Sequence, residues 1–241
     1  MLAAVVLAGD TGQDAQVFAG VQHKAHLKIG MVSMARVVLC ALQESGTVSH
    51  VSYVGEPPED AQGLVQDVVP AADKMSGSMR SGLESVPTQT ERILLLTADL
   101  PWLSAQHVRR FVHDAPDVDV VYPIIPRSAT ETAFPGQKRT YAKVREGEFT
   151  GGNLFLLKPA AIPRLLELSD QIYAGRKNPL ALAHLVGVRT VWGIATGRAS
   201  IATLEARASR LLNVEARAHI SQDAALGADV DKPEHLEKLG N

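Results

Sequence analysis

Apolar positions along this chain follow two repeating patterns. Leu2-Ala-Ala-Val-Val-Leu-Ala8 is a short uninterrupted apolar run ending at Gly9, which predicts a strand buried on both faces. Residues 9–22 show no period and predict a loop. Met34, Val37, Val38, Ala41 and Leu42 then recur at helical spacing. A second short strand is expected over 51–54, closed by Gly55 and the Pro57-Pro58 pair. Residues 76–86 carry Met79, Leu83 and Val86 on one helical face, and they lead into a second buried strand over 92–97. Ser104 is a suitable N-cap for a helix bearing Val108, Phe111 and Val112, and residues 118–122 read as a strand.

Strand and helix therefore alternate through the first half with short connections. This order predicts an α/β fold with a mostly parallel central sheet and helices on both faces. From 123 to 150 the pattern gives way to polar, Pro- and Gly-containing sequence, expected as loops and short strands inserted over one end of the sheet. A strand over 154–157 follows, then a helix opened by Pro159 with Ile162, Leu165 and Leu166 inward. Ser200 is placed to cap a helix through Ile201, Leu204, Ala208 and Leu211. A short strand around 228–230 and a helix entered at Pro233 complete the expected order.

Composition narrows the class. At 241 residues, 46% apolar and 21% charged, the chain reads as one globular domain over 1–241, with the insertion around 123–153 as its acceptor-binding part. A net charge of -2 argues against nucleic acid as a partner. The lone Cys40 excludes an internal disulfide and a cysteine-cluster zinc site, and it sits in a helical pattern as a small hydrophobe. No basic segment precedes the short apolar start, and no run approaches the roughly 20 residues of a membrane span, so a cytoplasmic location is expected.

In open α/β sheets, ligands bind beyond the carboxyl ends of the strands. Gly9 and Gly12 let backbone N–H groups after the first strand turn toward phosphate oxygens. Asp99, at the end of a buried strand and followed by Pro101, is a suitable ligand for a hard cation such as Mg²⁺. Its local alternative is to cap the next helix, a role that Ser104 already fills. Asp229 and Asp231 share one side if their segment is extended, and one of them is a candidate second ligand; either could instead favour the dipole of the following helix. His23 and His26 are read as surface or structural.

Five stretches then occur in order: Leu7-Ala8-Gly9, Lys24 through Gly30, Leu96-Thr-Ala-Asp99-Leu-Pro101, Gly151-Gly152-Asn153, and Asp229-Val-Asp231-Lys-Pro-Glu-His-Leu236. Together they resemble the MobA-like nucleoside-triphosphate transferases, nucleotidyltransferases of nucleotide-diphospho-sugar-transferase (GT-A, Rossmann-like) architecture. The resemblance implies a Mg²⁺-dependent enzyme moving a nucleotidyl group from a nucleoside triphosphate to a phosphorylated small-molecule acceptor; the sequence leaves both a monomer and a homodimer open. It implies that Leu7, Ala8 and Gly9 bind the triphosphate through the backbone and that Lys24 meets its phosphates. Asp99 would hold the metal with Asp229 or Asp231. Ser78 would contact the base or ribose; Gly152 and Asn153 would hold the acceptor, and Lys138 and Arg139 its phosphate.

The chain departs from the family pattern at Asp10, which stands where a second glycine is usual, with no Arg or Lys before His23. Lys74 or Arg80 is a candidate to replace that charge. Two rival readings remain: a nucleotide-sugar-dependent glycosyltransferase, and a nucleotide-binding homologue without activity. The isolated Asp99, rather than an Asp-x-Asp pair, argues against the first, and Asp10 supports the second.

Overall fold

The computed structural model describes residues 1–8, 23–137, 139–175 and 184–230. Gly9, Asp10, Gly12, Lys138, Asp231 and the helix expected at Pro233 lie outside the described residues.

In chain order, β1 (Leu2–Leu7) is followed by a small hairpin, β2 (Lys28–Ile29) and β3 (Val32–Ser33). Next come α1 (Met34–Ser45), β4 (His50–Val54), β5 (Asp67–Val69), α2 (Met75–Glu84), β6 (Arg92–Thr97) and α3 (Ala105–Asp114). The second half holds β7 (Val120–Pro126), α4 (Arg127–Ala133), β8 (Ala142–Val144), β9 (Gly147–Gly151) and β10 (Leu154–Leu157). It continues through α5 (Ile162–Gly175), α6 (Val188–Ala195), α7 (Ile201–Leu212) and β11 (Ala216–Ile220).

Nine of these strands form one sheet. The run β5-β4-β1-β6 is parallel throughout. β10 then pairs antiparallel with both β6 and β7, so β7 again runs with β6. Residues 120 and 121 of β7 pair with β10 while also pairing with β11, and Ile124 pairs with β9 while also pairing with β11. β9 and β10 therefore lie end to end along one edge of β7, with parallel β11 on the other. Only β9 and β10 oppose the remaining strands of this sheet, which is the mostly parallel arrangement that the alternation of elements predicts.

The pleat assigns each strand residue to a layer. Ala4, Val6, Leu94, Leu96, Leu154 and Leu156 pack with Leu39 and Leu42 of α1 and Val108 and Phe111 of α3. Their neighbours Val5, Leu7, Ile93, Leu95 and Leu157 pack on the other side with Leu83 of α2, Leu166 of α5 and Leu212 of α7. At Gly82 a Cβ would lie 2.6 Å from methyls of both Val5 and Val54, so α2 rests almost directly on the sheet.

Local chemistry sets the helix ends. The Ser33 hydroxyl accepts from the Arg36 amide at 3.1 Å to open α1, and Gly46, at φ 66°, closes it in the left-handed conformation. Ser104 and His107 form a reciprocal capping box at α3.

Some expectations need correction. No strand forms at 228–230: the chain leaves a 3-10 turn (Ala224–Leu226), with Leu226 O accepting from Asn153 N and Val230 N donating to Asp99 O. The strand expected at 118–122 begins at Val120 and runs on to Pro126. The elements β11, α4 and α6 have no counterpart in the expected order.

Candidate functional site

The carboxyl ends of β1, β4 and β6 meet at one edge. Ala8 N–H donates to Val54 O at 2.9 Å, and Ala98 N–H donates to Leu7 O at 3.0 Å, so the chain leaving β1 lies beside the chain leaving β6. Asp99 follows at this junction. Lys24 reaches it from a separate stretch, a 3-10 turn over Lys24–His26 whose Ala25 is buried against the α1 core. Met34 N–H, at the start of α1, donates to Leu27 O at 2.9 Å and fixes that turn. The outcome is a Lys24 Nζ–Asp99 Oδ2 ion pair of 2.6 Å between side chains 12% and 18% exposed.

The other Asp99 oxygen, Oδ1, is buried and has no hydrogen-bond partner among the described residues. A buried carboxylate oxygen with an unused lone pair is costly unless something occupies it. Thr97 Oγ1, two residues earlier, is orphaned in the same way. The sequence places Thr97 in the Asp99 stretch but gives it no role in the site, although it is the only polar side chain after Arg92 in β6.

The late acidic segment arrives at the same place. Val230 N–H donates to Asp99 O at 3.3 Å, and the preceding Asp229 pairs with Arg139 Nη1 at 3.4 Å. Both partners are largely covered, at 21% and 13% exposure. Among the described residues, no group of three or more His, Cys, Asp or Glu forms a ready-made metal cluster.

Gly151, Gly152 and Asn153 form the break between β9 and β10. Gly152 N–H donates to Pro123 O on β7, while Asn153 O accepts from Thr97 N on β6, so the break bridges the two strands. Its glycines are needed for close approach. A Cβ on Gly152 would sit 2.7 Å from Pro123 Cγ, and one on Gly227 would sit 2.8 Å from Gly151 O.

Lys24, Asp99, Arg139, Gly152, Asn153 and Asp229 are thus brought to one edge, together with the ends of Leu7 and Ala8. Ser78 is occupied elsewhere: its buried hydroxyl accepts from Ala72 N at 2.9 Å and donates to Ala72 O at 3.3 Å, tying the preceding loop to α2. Arg80 pairs with Glu84 and Asp170 on the outer surface of α2, and Lys74 lies over the Tyr173 ring. His26 contacts Glu56 O at 2.8 Å.

One further side chain borders the site. Tyr122 stacks on Phe155, ring centroids 4.7 Å apart. Burial pushes the Tyr122 hydroxyl pKa up, and the nearby Arg139 charge draws it partly back.

Comparison with known proteins places this geometry. The model of the MobA-like NTP transferase domain matches residues 4–188. No curated protein matches. A solved structure described as a hypothetical transferase from Thermus thermophilus is 38% identical, covering 98% of this chain and 100% of that one, with a TM-score of 0.86. The 2-C-methyl-D-erythritol 4-phosphate cytidylyltransferase of Thermus thermophilus is 16% identical, covering 100% and 98%, with a TM-score of 0.54. A CMP:2-keto-3-deoxy-manno-octonic acid synthetase in complex with CTP is 14% identical, covering 99% and 96%, with a TM-score of 0.55; these last two share the fold. The chain belongs to the MobA-like NTP transferase domain family.

Proposed function

We propose that this protein is a Mg²⁺-dependent nucleotidyltransferase that moves a nucleoside monophosphate from a nucleoside triphosphate to a phosphorylated small molecule. The observation that carries the reading is the 2.6 Å contact of Lys24 with Asp99 beside the late acidic segment, three stretches remote in sequence. Such convergence of a lysine and carboxylates at the carboxyl edge of an α/β sheet suits a polyphosphate with its counter-ion.

Asp99 fits a divalent cation through its orphaned Oδ1, and Asp229 is the second candidate ligand; Asp231 lies outside the described residues. When bound, the ion would neutralise charge on the phosphate oxygens. The residues supply the rest. Lys24 offsets charge building on the triphosphate, and the backbone after β1 cradles it. Arg139 and the Gly152–Asn153 break orient the acceptor.

An acceptor phosphate is already largely ionised near neutral pH, its second pKa being about 6. One of its oxygens attacks the α-phosphorus in line. The bond from that phosphorus to the bridging oxygen breaks, and pyrophosphate leaves with the electron pair. No general base is needed, and positioning dominates.

The test is a thermal-shift panel of the four ribonucleoside triphosphates with and without Mg²⁺, followed by pyrophosphate release with candidate phosphates. CTP is the first donor to try, because one structure of like fold is a cytidylyltransferase and another was solved with CTP. A Mg²⁺-dependent stabilisation by one triphosphate is expected. No shift with any of the four would overturn the reading.

A further inference from the structure

A pocket of about 370 Å³ lies between α7 and the sheet surface formed by β7, β9, β10 and β11. Tyr122, Val144, Phe149, Phe155, Leu204 and Ala208 are among its walls. Its two charged neighbours are already engaged: Glu205 accepts from Ala218 N at 2.9 Å, and Arg217 pairs with Glu215 at 2.7 Å. What remains facing the space is mostly carbon. An apolar cavity of roughly 150 Å³ holds a benzene ring, so this one has room for a larger apolar group.

Position gives the pocket its meaning. It runs along β7 from Val120 to Ile124, toward the carboxyl edge of the sheet. There it is bounded by Gly151, which pairs with Ile124 and directly precedes Gly152 and Asn153. A Cβ on Gly151 would collide with Tyr122 Oη, so the absent side chain is what allows the tyrosine to stand there. Tyr122 lies close enough to Arg139 to feel its charge, and Arg139 pairs with Asp229, whose neighbour Val230 bonds to Asp99. The carbon-walled pocket thus ends at Gly151, next in sequence to the Gly152–Asn153 break that the nucleotidyl-transfer reading gives to the acceptor.

We propose that this pocket receives the body of the acceptor, and that the acceptor is an anion with an aromatic or branched aliphatic body rather than a polyhydroxylated one. The inference rests on the nucleotidyl-transfer reading above. A sugar or polyol in the pocket would leave most of its hydroxyls without partners, since Tyr122 and Thr150 are the only uncharged polar side chains among the described lining, a cost that an apolar body avoids.

Anilinonaphthalene sulfonate, an aromatic body with an anionic group, is a suitable probe. Saturable binding of one probe per folded chain is expected. Ala208→Phe, which fills the pocket from α7, and Ala142→Trp, which crowds its exposed rim, should each weaken binding by roughly tenfold or more. Both should keep the Mg²⁺–triphosphate thermal shift. Probe binding that survives both variants overturns the proposal, as does equal turnover of phenyl phosphate and glycerol phosphate by the unmodified enzyme. If the probe binds and the variants abolish it while no triphosphate shifts the melting temperature, the donor reading fails and the apolar site stands.

Discussion

In β1 and β6 successive residues bury against helices on both sides with nothing between them: Ala4 and Val6 against α1, Val5 and Leu7 against α2, and Gly82 in contact with Val5 and Val54. In β7 and β9 one surface is held by α7 at a distance, and a pocket remains. The first region supports the Lys24–Asp99 pair; the second supports Arg139 and the Gly152–Asn153 break, the proposed acceptor loop. A phosphate-binding edge gains from rigidity, because charges must be held in place before reaction. An acceptor pocket needs room. On the proposed function, one sheet would meet both needs by changing how closely helices approach it.

The sharpest way to break that contrast is to remove equal volumes from each region. Leu94→Ala, in the closed core, should cost about 2–5 kcal/mol by chemical or thermal denaturation. Leu204→Ala borders space that already exists and should cost clearly less. Equal losses would mean that the pocket is no looser than the core.

Chemistry separates the regions next. Asp99→Ala should cost roughly 3 kcal/mol in transition-state stabilisation, a hundredfold or more in pyrophosphate release. Arg139→Ala should instead raise the KM for acceptor while leaving the triphosphate thermal shift in place. A loss of that shift in the Arg139 variant would assign the arginine to the donor side.

How far the sequence foretells this division follows from its local signals. The parallel half was legible because each strand there is a continuous apolar run and each helix has a clean period; Leu2–Leu7, Arg92–Thr97 and the Ser104 cap fall within a residue or so of expectation. The second half was less legible because its strands are short or atypical. Ala216–Ile220 contains Arg217 and His219 and lacks an apolar run, yet it forms the full parallel ladder with β7. Pro123 and Pro126 mask the continuation of β7, whose register tolerates them at the edge of the site. The segment at 228–230 is expected as a short strand, but it joins no ladder and is tied to the site through Val230 N and the Asp229–Arg139 pair. For the site, residue type and strand-end position pointed to Lys24 and Asp99. No residue pattern marks Ser78 as tied to Ala72, a contact set by the local turn into α2, and that Arg139 meets Asp229 depends on tertiary placement.

Adding volume gives a smaller effect with opposite expectations. Gly82→Ala would bring a Cβ within 2.6 Å of two buried methyls and should destabilise by about 1–3 kcal/mol. Ala208→Val adds carbon into the pocket and should be neutral or stabilising. A large loss from the second change would show that α7 has no slack.

The smallest effect concerns how the closed region is held in register with the edge that carries Lys24 and Asp99. Asp60 accepts from Ser33 N at 2.8 Å and from Ser33 Oγ at 2.7 Å, while Arg36 donates to the Asp60 carbonyl. This pins the start of α1, against which the Lys24 turn packs. Burial raises the Asp60 carboxyl pKa, but the two Ser33 bonds and the Arg36 charge outweigh it, and the net shift is downward. A depressed folded-state pKa contributes stability above the unfolded carboxylate value, about 3.9, and loses it as pH falls through the folded value. Asp60→Asn should therefore cost on the order of 1 kcal/mol near neutral pH, since the group is partly solvated. Its stability should also fall less steeply than that of the unmodified protein below about pH 4. The contrasting exposed pair is Glu148 of β9 with Arg127, where Glu148→Gln should leave the melting temperature unchanged. Parallel acid titrations of stability for Asp60→Asn and the unmodified chain would show that the carboxylate only fills space there, and that α1 is anchored by packing alone.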